Sequence, residues 1–115
     1  MSGDASPYRR DDGRWFVAPS TLVPDGAVIS RRVGETPVAV ARHQGALRAF
    51  GALCPHQGAD LAEGILEPEG TIACGLHLWS FELDTGRCTM IDGASIPVYD
   101  VDEIDGEIVV TLSEP

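Results

Sequence analysis

Glycine and proline interrupt this sequence so often that little of it can form a long helix. Thirteen glycines and eight prolines are spread over 115 residues, and both residue types are unfavourable inside helices. No long stretch with the apolar period of an amphipathic helix survives between them. About eight short β-rich runs remain, at 14–18, 27–31, 37–42, 47–50, 71–73, 79–83, 96–101 and 107–112. The sequence therefore predicts an all-β fold with at most a helical turn around residues 20–23.

Short turn sequences indicate that several neighbouring runs are antiparallel. Residues 43–46, 84–86 and 104–106 each contain a glycine in a hairpin-type sequence between or after predicted strands. Residues 38–41 and 108–110 are almost continuously apolar. Such runs are typical of strands in the core of a sandwich or barrel.

Residues 51–75 differ from the rest of the chain. They are richer in glycine and loop-forming residues, and 63–64 and 67–70 have turn sequences. A loop-rich insertion between strands makes a poor core but often carries functional residues. The chain length fits one domain, so we expect a single unit whose inserted loops hold the site.

The charge of the chain disfavours two classes of partner. Eighteen acidic and eight basic side chains give a net charge of −10 and a pI near 4.4. Nucleic acids and anionic membranes are bound by faces rich in lysine and arginine. We therefore expect neither partner, and expect instead transient docking on basic protein surfaces, at rates that fall as ionic strength rises.

The N-terminal residues predict neither export nor a membrane anchor. Residues 1–13 carry charges but no apolar segment, and no apolar run approaches the ~20 residues of a membrane span. The three cysteines are an odd number with spacings unlike a disulfide framework. We expect a cytoplasmic protein with a flexible tail over residues 1–13, whose cysteines ligate a metal or are buried thiols.

Two compact groups combine a cysteine with a histidine. The first is Cys54-Pro55-His56 and the second is Cys74-Gly75-Leu76-His77, with seventeen residues between His56 and Cys74. Structural zinc sites usually pair cysteine with cysteine and histidine with histidine. One cysteine and one histidine from each loop suit a dinuclear centre better, because each loop can give one residue to each of two irons. Structural zinc is the alternative.

The motif resembles that of the Rieske family. Its pattern is C-x-H, 15–17 residues and C-x-x-H, and here Trp79-Ser80-Phe81 and Asp84-Thr85-Gly86 follow as the family's W-x-F and T-G. The resemblance implies one [2Fe–2S] cluster per chain, with Cys54 and Cys74 on one iron and His56 and His77 on the other. It also implies a Rieske fold: an antiparallel β-sandwich or barrel base, about 14–50 and 82–112, with an inserted cluster-binding subdomain, about 51–81.

Departures from high-potential members of the family bear on the redox potential. Those members join the two loops by a disulfide, but Ala59 and Leu76 occupy the corresponding positions, and Trp79 stands where they place a serine hydroxyl. Fewer hydrogen bonds to the cluster sulfurs predict a potential near the low end of the Rieske range, roughly −150 mV. Pro55 and Trp79 are candidates to shape the site and pack beside it.

Cys88 and His43 lie outside the motif. We interpret Cys88 as a spare thiol on a strand, and His43, in a predicted hairpin turn, as a surface residue.

The resemblance predicts a one-electron carrier rather than an enzyme. The sequence has no G-x-G-x-x-G fingerprint, and we expect no catalytic iron domain after the motif. In the family, electrons come from an NADH-dependent flavin reductase and go to an oxygenase. We expect the protein to be a monomer that docks transiently on both.

Local residues favour one kind of oxygenase partner. Cys54-Pro55-His56-Gln57 and His77-Leu78-Trp79 are most similar to ferredoxins of multicomponent diiron monooxygenases that act on toluene, benzene or small alkenes. A role in aromatic hydrocarbon catabolism would follow. The alternatives are the ferredoxin of a ring-hydroxylating dioxygenase and the small Rieske-type subunit of a nitrite reductase.

Overall fold

The computed structural model describes residues 6–55, 58–74, 79–91 and 93–112. Within these residues there are ten strands and two short 3₁₀ helices, Ser20–Leu22 and Leu61–Glu63. The strands are β1 (Tyr8–Arg9), β2 (Trp15–Pro19), β3 (Val28–Val33), β4 (Thr36–His43), β5 (Ala46–Gly51), β6 (Ile65–Glu67), β7 (Thr71–Ala73), β8 (Ser80–Glu82), β9 (Val98–Ile104) and β10 (Glu107–Thr111).

The strands form two antiparallel sheets. The large sheet has seven strands in the order β1-β2-β10-β9-β5-β4-β3, and the small sheet has three in the order β6-β7-β8. The predicted all-β fold is confirmed. The division into a base and a cluster-binding subdomain stays a prediction, and the small sheet lies within one residue of the predicted 51–81.

Two predicted turns connect strands of the large sheet as tight hairpins. Gln44 and Gly45 join β4 to β5 with φ values of 51° and 84°, and Asp105 and Gly106 join β9 to β10 with 52° and 78°. Two successive residues with positive φ form the turn whose twist matches that of paired strands. The glycine that marks each turn in the sequence therefore occupies a position where the backbone needs a positive φ.

Strand β4 is buried on both faces, which explains its continuous apolar run. Val38 and Val40 pack in the large-sheet core, whereas Ala39 and Ala41 point to a second core that both sheets share. The large-sheet core comprises Val17, Ala18, Val23, Val33, Val38, Val40, Ala49, Ile108 and Val110. The shared core comprises Ala39, Ala41, Phe50, Ala52, Cys54, Leu61, Ile72, Cys74, Phe81, Leu83, Cys88 and Ile96.

Four elements differ from the sequence expectations. A second 3₁₀ helix, Leu61–Glu63, forms in addition to the one helical turn expected around 20–23. Part of the segment expected to be a flexible tail is β1, because Tyr8 stacks on Phe16 with ring centroids 4.9 Å apart. Strand β6 lies in the predicted loop region and pairs with β7. The strand expected at 96–101 runs from Val98 to Ile104. Among the described residues, no helix has the length and apolar character needed to cross a membrane.

Candidate metal centre

Cys54 and Cys74 are both buried, and both follow strands. Cys54 comes three residues after β5, and Cys74 directly follows β7. Their exposed fractions are 2% and 1%, and both side chains belong to the shared core. The fold therefore brings a cysteine from each half of the motif into one apolar environment.

The same type of hydrogen bond closes the loop that begins at each cysteine. The Cys54 N–H donates to the Ala59 carbonyl at 2.8 Å, and the Cys74 N–H donates to the Trp79 carbonyl at 2.7 Å. Each bond joins residues that are five positions apart, and we call the sequence segments 54–59 and 74–79 between these ends the first and second loops. By sequence, one predicted histidine ligand falls inside each loop.

A carboxylate attaches the end of the first loop to the large sheet. Leu53 and Asp60 form a β-bridge across the neck of the loop. One carboxylate oxygen of Asp60 accepts from the Ala62 N–H at 2.9 Å, and the other accepts from the Ser30 hydroxyl of β3 at 2.8 Å. Asp60 thus caps the second 3₁₀ helix and holds the loop end against β3.

A second carboxylate ties together the strands beneath the second loop. The Glu67 carboxylate of β6 accepts from the Thr71 hydroxyl at 2.6 Å and from the Ser80 hydroxyl at 2.9 Å. Thr71 begins β7 and Ser80 begins β8. All three strands of the small sheet are therefore linked through one side chain.

Glycine is required where the chain enters β6. A side-chain carbon at Gly64 would overlap the carbonyl of Ala73, the residue before Cys74. Any larger residue would push the two strands apart just below the second loop. Close strand approach at this point helps fix the position of Cys74.

The structure brings together part of the predicted site. Cys54 and Cys74 share one core, whereas His56 and His77 lie outside the described residues. Trp79 is half-buried and packs against the shared core, but Pro55 is exposed. No group of three or more histidine, cysteine or acidic side chains forms a metal site among the described residues, which include only the two thiols of the predicted set.

The two described cysteines fit the thiolate half of a centre that takes two thiolates and two imidazoles. Two buried cysteines supply the soft ligands, and each begins a closed loop whose sequence contains a histidine. That donor set is the one that a Rieske [2Fe–2S] cluster requires.

Cys88 is outside both loops in the sequence, and its side chain belongs to the shared core. Its exposed fraction is 8%, it forms a β-bridge with Phe81, and its N–H donates to the Ala94 carbonyl at 3.0 Å. It forms no disulfide. This placement agrees with a spare thiol on an extended segment.

His43 has a role that the sequence did not reveal. It is half-buried, not simply on the surface, and its Nε2 lies 2.8 Å from the Pro68 carbonyl in the turn between β6 and β7. A carbonyl only accepts, so the proton is on Nε2. The hydrogen bond connects the β4–β5 hairpin of the large sheet to the small sheet. No local sequence pattern signals a contact across twenty-five residues.

A shallow acidic groove covers the outer face of the small sheet. It has a volume of about 430 Å³. Carboxylates dominate its lining, together with hydroxyls: Glu67, Glu69, Gly70, Thr71, Ser80, Glu82, Asp84 and Thr89. Lysine and arginine are absent from this described lining, so its four carboxylates give the groove a net negative charge.

Comparisons with known proteins agree with the motif. A family model described as the Rieske [2Fe-2S] domain matches residues 13–100. The 3-phenylpropionate/cinnamic acid dioxygenase ferredoxin subunit of Photorhabdus laumondii is 36% identical over 101 residues, which cover 86% of this chain and 94% of that protein. The alkene monooxygenase ferredoxin component of Xanthobacter autotrophicus is 36% identical over 63 residues, which cover 55% and 52%.

A solved structure of an oxygenase–ferredoxin complex contains a chain with the same fold. It is the complex of reduced oxygenase and oxidised ferredoxin in carbazole 1,9a-dioxygenase. The matched chain is 28% identical and superimposes with a TM-score of 0.74, covering 84% of this chain and 99% of that one.

Proposed function

The chain belongs to the Rieske [2Fe–2S] domain family, and we propose from this that one cluster is held by Cys54, His56, Cys74 and His77. The protein is an electron carrier without a substrate site of its own. The observation that carries the ligand assignment is the pair of buried cysteines, each at the start of a loop closed by the same five-residue hydrogen bond.

The bound cluster would supply reversible one-electron oxidation and reduction. Cys54 and Cys74, as thiolates, would hold the iron that stays ferric, and His56 and His77 would hold the iron that changes state, since neutral nitrogen ligands favour Fe(II). Burial of the two thiols excludes water from the sulfur side of the site. Trp79 and Pro55 complete the surroundings of the loops, with Trp79 packed on the core beneath them.

The partners that we propose are an NADH-dependent flavin reductase as donor and an oxygenase as acceptor. Homologues named as ferredoxins serve dioxygenase and alkene monooxygenase systems. We retain a diiron hydrocarbon monooxygenase as the acceptor, on the local sequences around His56 and His77. The protein would act as a cytoplasmic monomer.

A second candidate acceptor has its own support. The relative that covers 86% of this chain is a dioxygenase ferredoxin, whereas the monooxygenase relative covers 55%. A ring-hydroxylating dioxygenase is therefore the alternative. The small subunit of a nitrite reductase is a third possibility, which the four intact ligand positions make less favourable.

Purification and reconstitution test these proposals separately. Protein purified without oxygen should be reddish-brown, contain two irons per chain and titrate near −150 mV. Colourless protein with stoichiometric zinc would contradict the cluster. NADH is then added with reductase and oxygenase pairs from monooxygenase and dioxygenase systems. If this protein supported turnover only with the dioxygenase pair, our choice of acceptor would be wrong, but its role as an electron carrier would stand.

A further inference from the structure

The two loops that begin at Cys54 and Cys74 are attached to the fold in different ways. The second loop connects β7 to β8, and these strands pair as far as Ala73 and Ser80 at its base. The first loop lies between β5 and the second 3₁₀ helix rather than between two paired strands. Its position relative to the second loop therefore depends on contacts made outside the loop itself.

Asp60 provides such a contact at the end of the first loop. Its carboxylate accepts from the Ser30 hydroxyl at 2.8 Å and from the Ala62 N–H at 2.9 Å. Hydrogen bonds to an ionised group are about twice as strong as those between neutral groups. Asp60 and Ser30 are both half-buried, which strengthens the bond between them further, because the local dielectric constant is lower than in water. Two directed bonds therefore join β3 to the end of the loop.

Ser30 is a firm anchor because it belongs to a rung of three paired strands. It pairs with Ala39 of β4, and Ala39 pairs with Phe50 of β5. Directly opposite residues in a sheet point to the same face. Ala39 and Phe50 are fully buried in the shared core, so the Ser30 side chain is on the face of the large sheet that this core covers. The bond to Asp60 thus fastens the first loop to the face on which the small sheet packs.

A change at Asp60 is passed directly to Cys54. The carbonyl of Ala59, the residue before Asp60, accepts from the Cys54 N–H at 2.8 Å. The Cys54 carbonyl in turn accepts from the Gly58 N–H at 2.7 Å. These main-chain bonds hold Cys54 and the end of the loop together. A shift of that end would therefore move Cys54 relative to Cys74, the first residue of the other loop.

We propose that Asp60 is a positioning residue of the metal centre: bound to Ser30, it holds the first loop where the ligands of both loops meet on one cluster. The inference rests on the cluster and the ligand set proposed above. Groups around the ligands orient them and tune the metal, so the placement of the loops affects the electron paramagnetic resonance spectrum of the reduced cluster. The hydrogen bond of Asp60, rather than its negative charge, is the feature that matters.

The variants separate the hydrogen bond from the charge. Ser30→Ala removes the bond and keeps the carboxylate. Asp60→Asn removes the charge, but its amide oxygen can accept from the Ala62 N–H and its amide nitrogen can donate to the Ser30 hydroxyl. Asp60→Ala removes both features. Thr111→Ala, which removes an exposed hydroxyl elsewhere on the large sheet, is the control.

Three measurements are made on each protein after loading with two irons per chain. Electron paramagnetic resonance gives the g values of the reduced cluster, redox titration detects the effect of charge, and a chelator measures the rate of iron release. We expect Ser30→Ala and Asp60→Ala to shift the g values and to release iron about 5- to 20-fold faster than the wild type, because a hydrogen bond to a charged group is lost.

The remaining variants should show that one interaction is responsible. Ser30→Ala combined with Asp60→Ala should release iron no faster than Asp60→Ala alone, since both changes remove the same bond. Asp60→Asn should keep the g values and the release rate of the wild type. Thr111→Ala should match the wild type in all three measurements.

Several results would overturn the proposal. One is an unchanged spectrum and release rate in Ser30→Ala. Another is a higher potential in every Asp60 variant with wild-type behaviour of Ser30→Ala, which would assign the effect to charge. Faster release with unchanged g values would leave Asp60 a purely structural role. If Ser30→Ala folds poorly, Asp60→Ser, which offers one oxygen in place of two, is judged by the same criteria. Wild-type protein without a two-iron cluster would instead contradict the proposed function.

Discussion

The large sheet and the small sheet are stabilised in different ways. Most strands of the large sheet have five to eight residues, and the sheet has an apolar core of its own. The strands of the small sheet have three residues each, and its inner face packs on the shared core. Three-residue strands are at the short end of the usual range, and the apolar face of this sheet is buried only by packing on that core. We therefore expect the small sheet, which carries the second loop, to depend for its stability on the large sheet and on the bound metal.

Loss of one thiolate ligand should give the largest difference between the two sheets in iron binding and in protection from hydrogen exchange. Cys74→Ser is expected to abolish the cluster, because serine cannot replace a buried thiolate ligand to iron. The large sheet should remain folded, since its own core is untouched. Iron analysis with amide hydrogen exchange measures both effects. Cys88→Ser is the matched control and should keep two irons. A Cys74→Ser protein that retained full iron would contradict the ligand assignment.

Two core truncations should then distinguish the regions. Ile72→Ala, in the shared core, should lower the free energy of unfolding by about 2–5 kcal/mol and speed the release of iron. Val40→Ala, in the large-sheet core, should lower it by a smaller amount and leave the iron-release rate near that of the wild type at temperatures well below unfolding. Denaturant titration and iron release into a chelator measure the two quantities. Equal release rates in both variants would argue against separate cores.

The carboxylate that links the small sheet should have an intermediate effect. Glu67→Ala leaves the Thr71 and Ser80 hydroxyls without their acceptor and should cost about 1–3 kcal/mol. Hydrogen exchange of the β7 and β8 amides should accelerate. Glu69→Ala, at an exposed position of the same groove, is the control for lost charge. Equal destabilisation by both changes would mean that charge, not the hydrogen bonds, matters.

The hydrogen bond between the sheets should have the smallest effect. His43→Ala removes the bond to Pro68 and should lower stability by about 0.5–1.5 kcal/mol. Exchange in the β6–β7 turn should rise while the β4–β5 hairpin stays protected. Glu35→Ala, in the exposed β3–β4 turn, gives the background. If the two variants had the same free energy of unfolding, the hydrogen bond of His43 would not stabilise the contact between the sheets.

The same contrast explains what the sequence could predict. The hairpins at 44–45 and 105–106 and the apolar run of β4 have local causes, and the sequence identifies them. Strand β6 forms only because β7 pairs with it, and β1 is held by stacking of Tyr8 on Phe16, so neither has a local signal. The spacing of the motif predicts the four ligand positions, which stay a prediction, whereas the contact of His43 with Pro68 depends on the fold and has no local signal.

The central claim is that two imidazoles and two thiolates hold one cluster. Pulsed electron paramagnetic resonance of the reduced protein tests it most directly, because it detects nitrogen bound to the reduced iron. The account predicts couplings to two nitrogens, both altered when histidine is labelled with ¹⁵N. A reduced cluster without directly bound nitrogen, or zinc in place of iron, would contradict it.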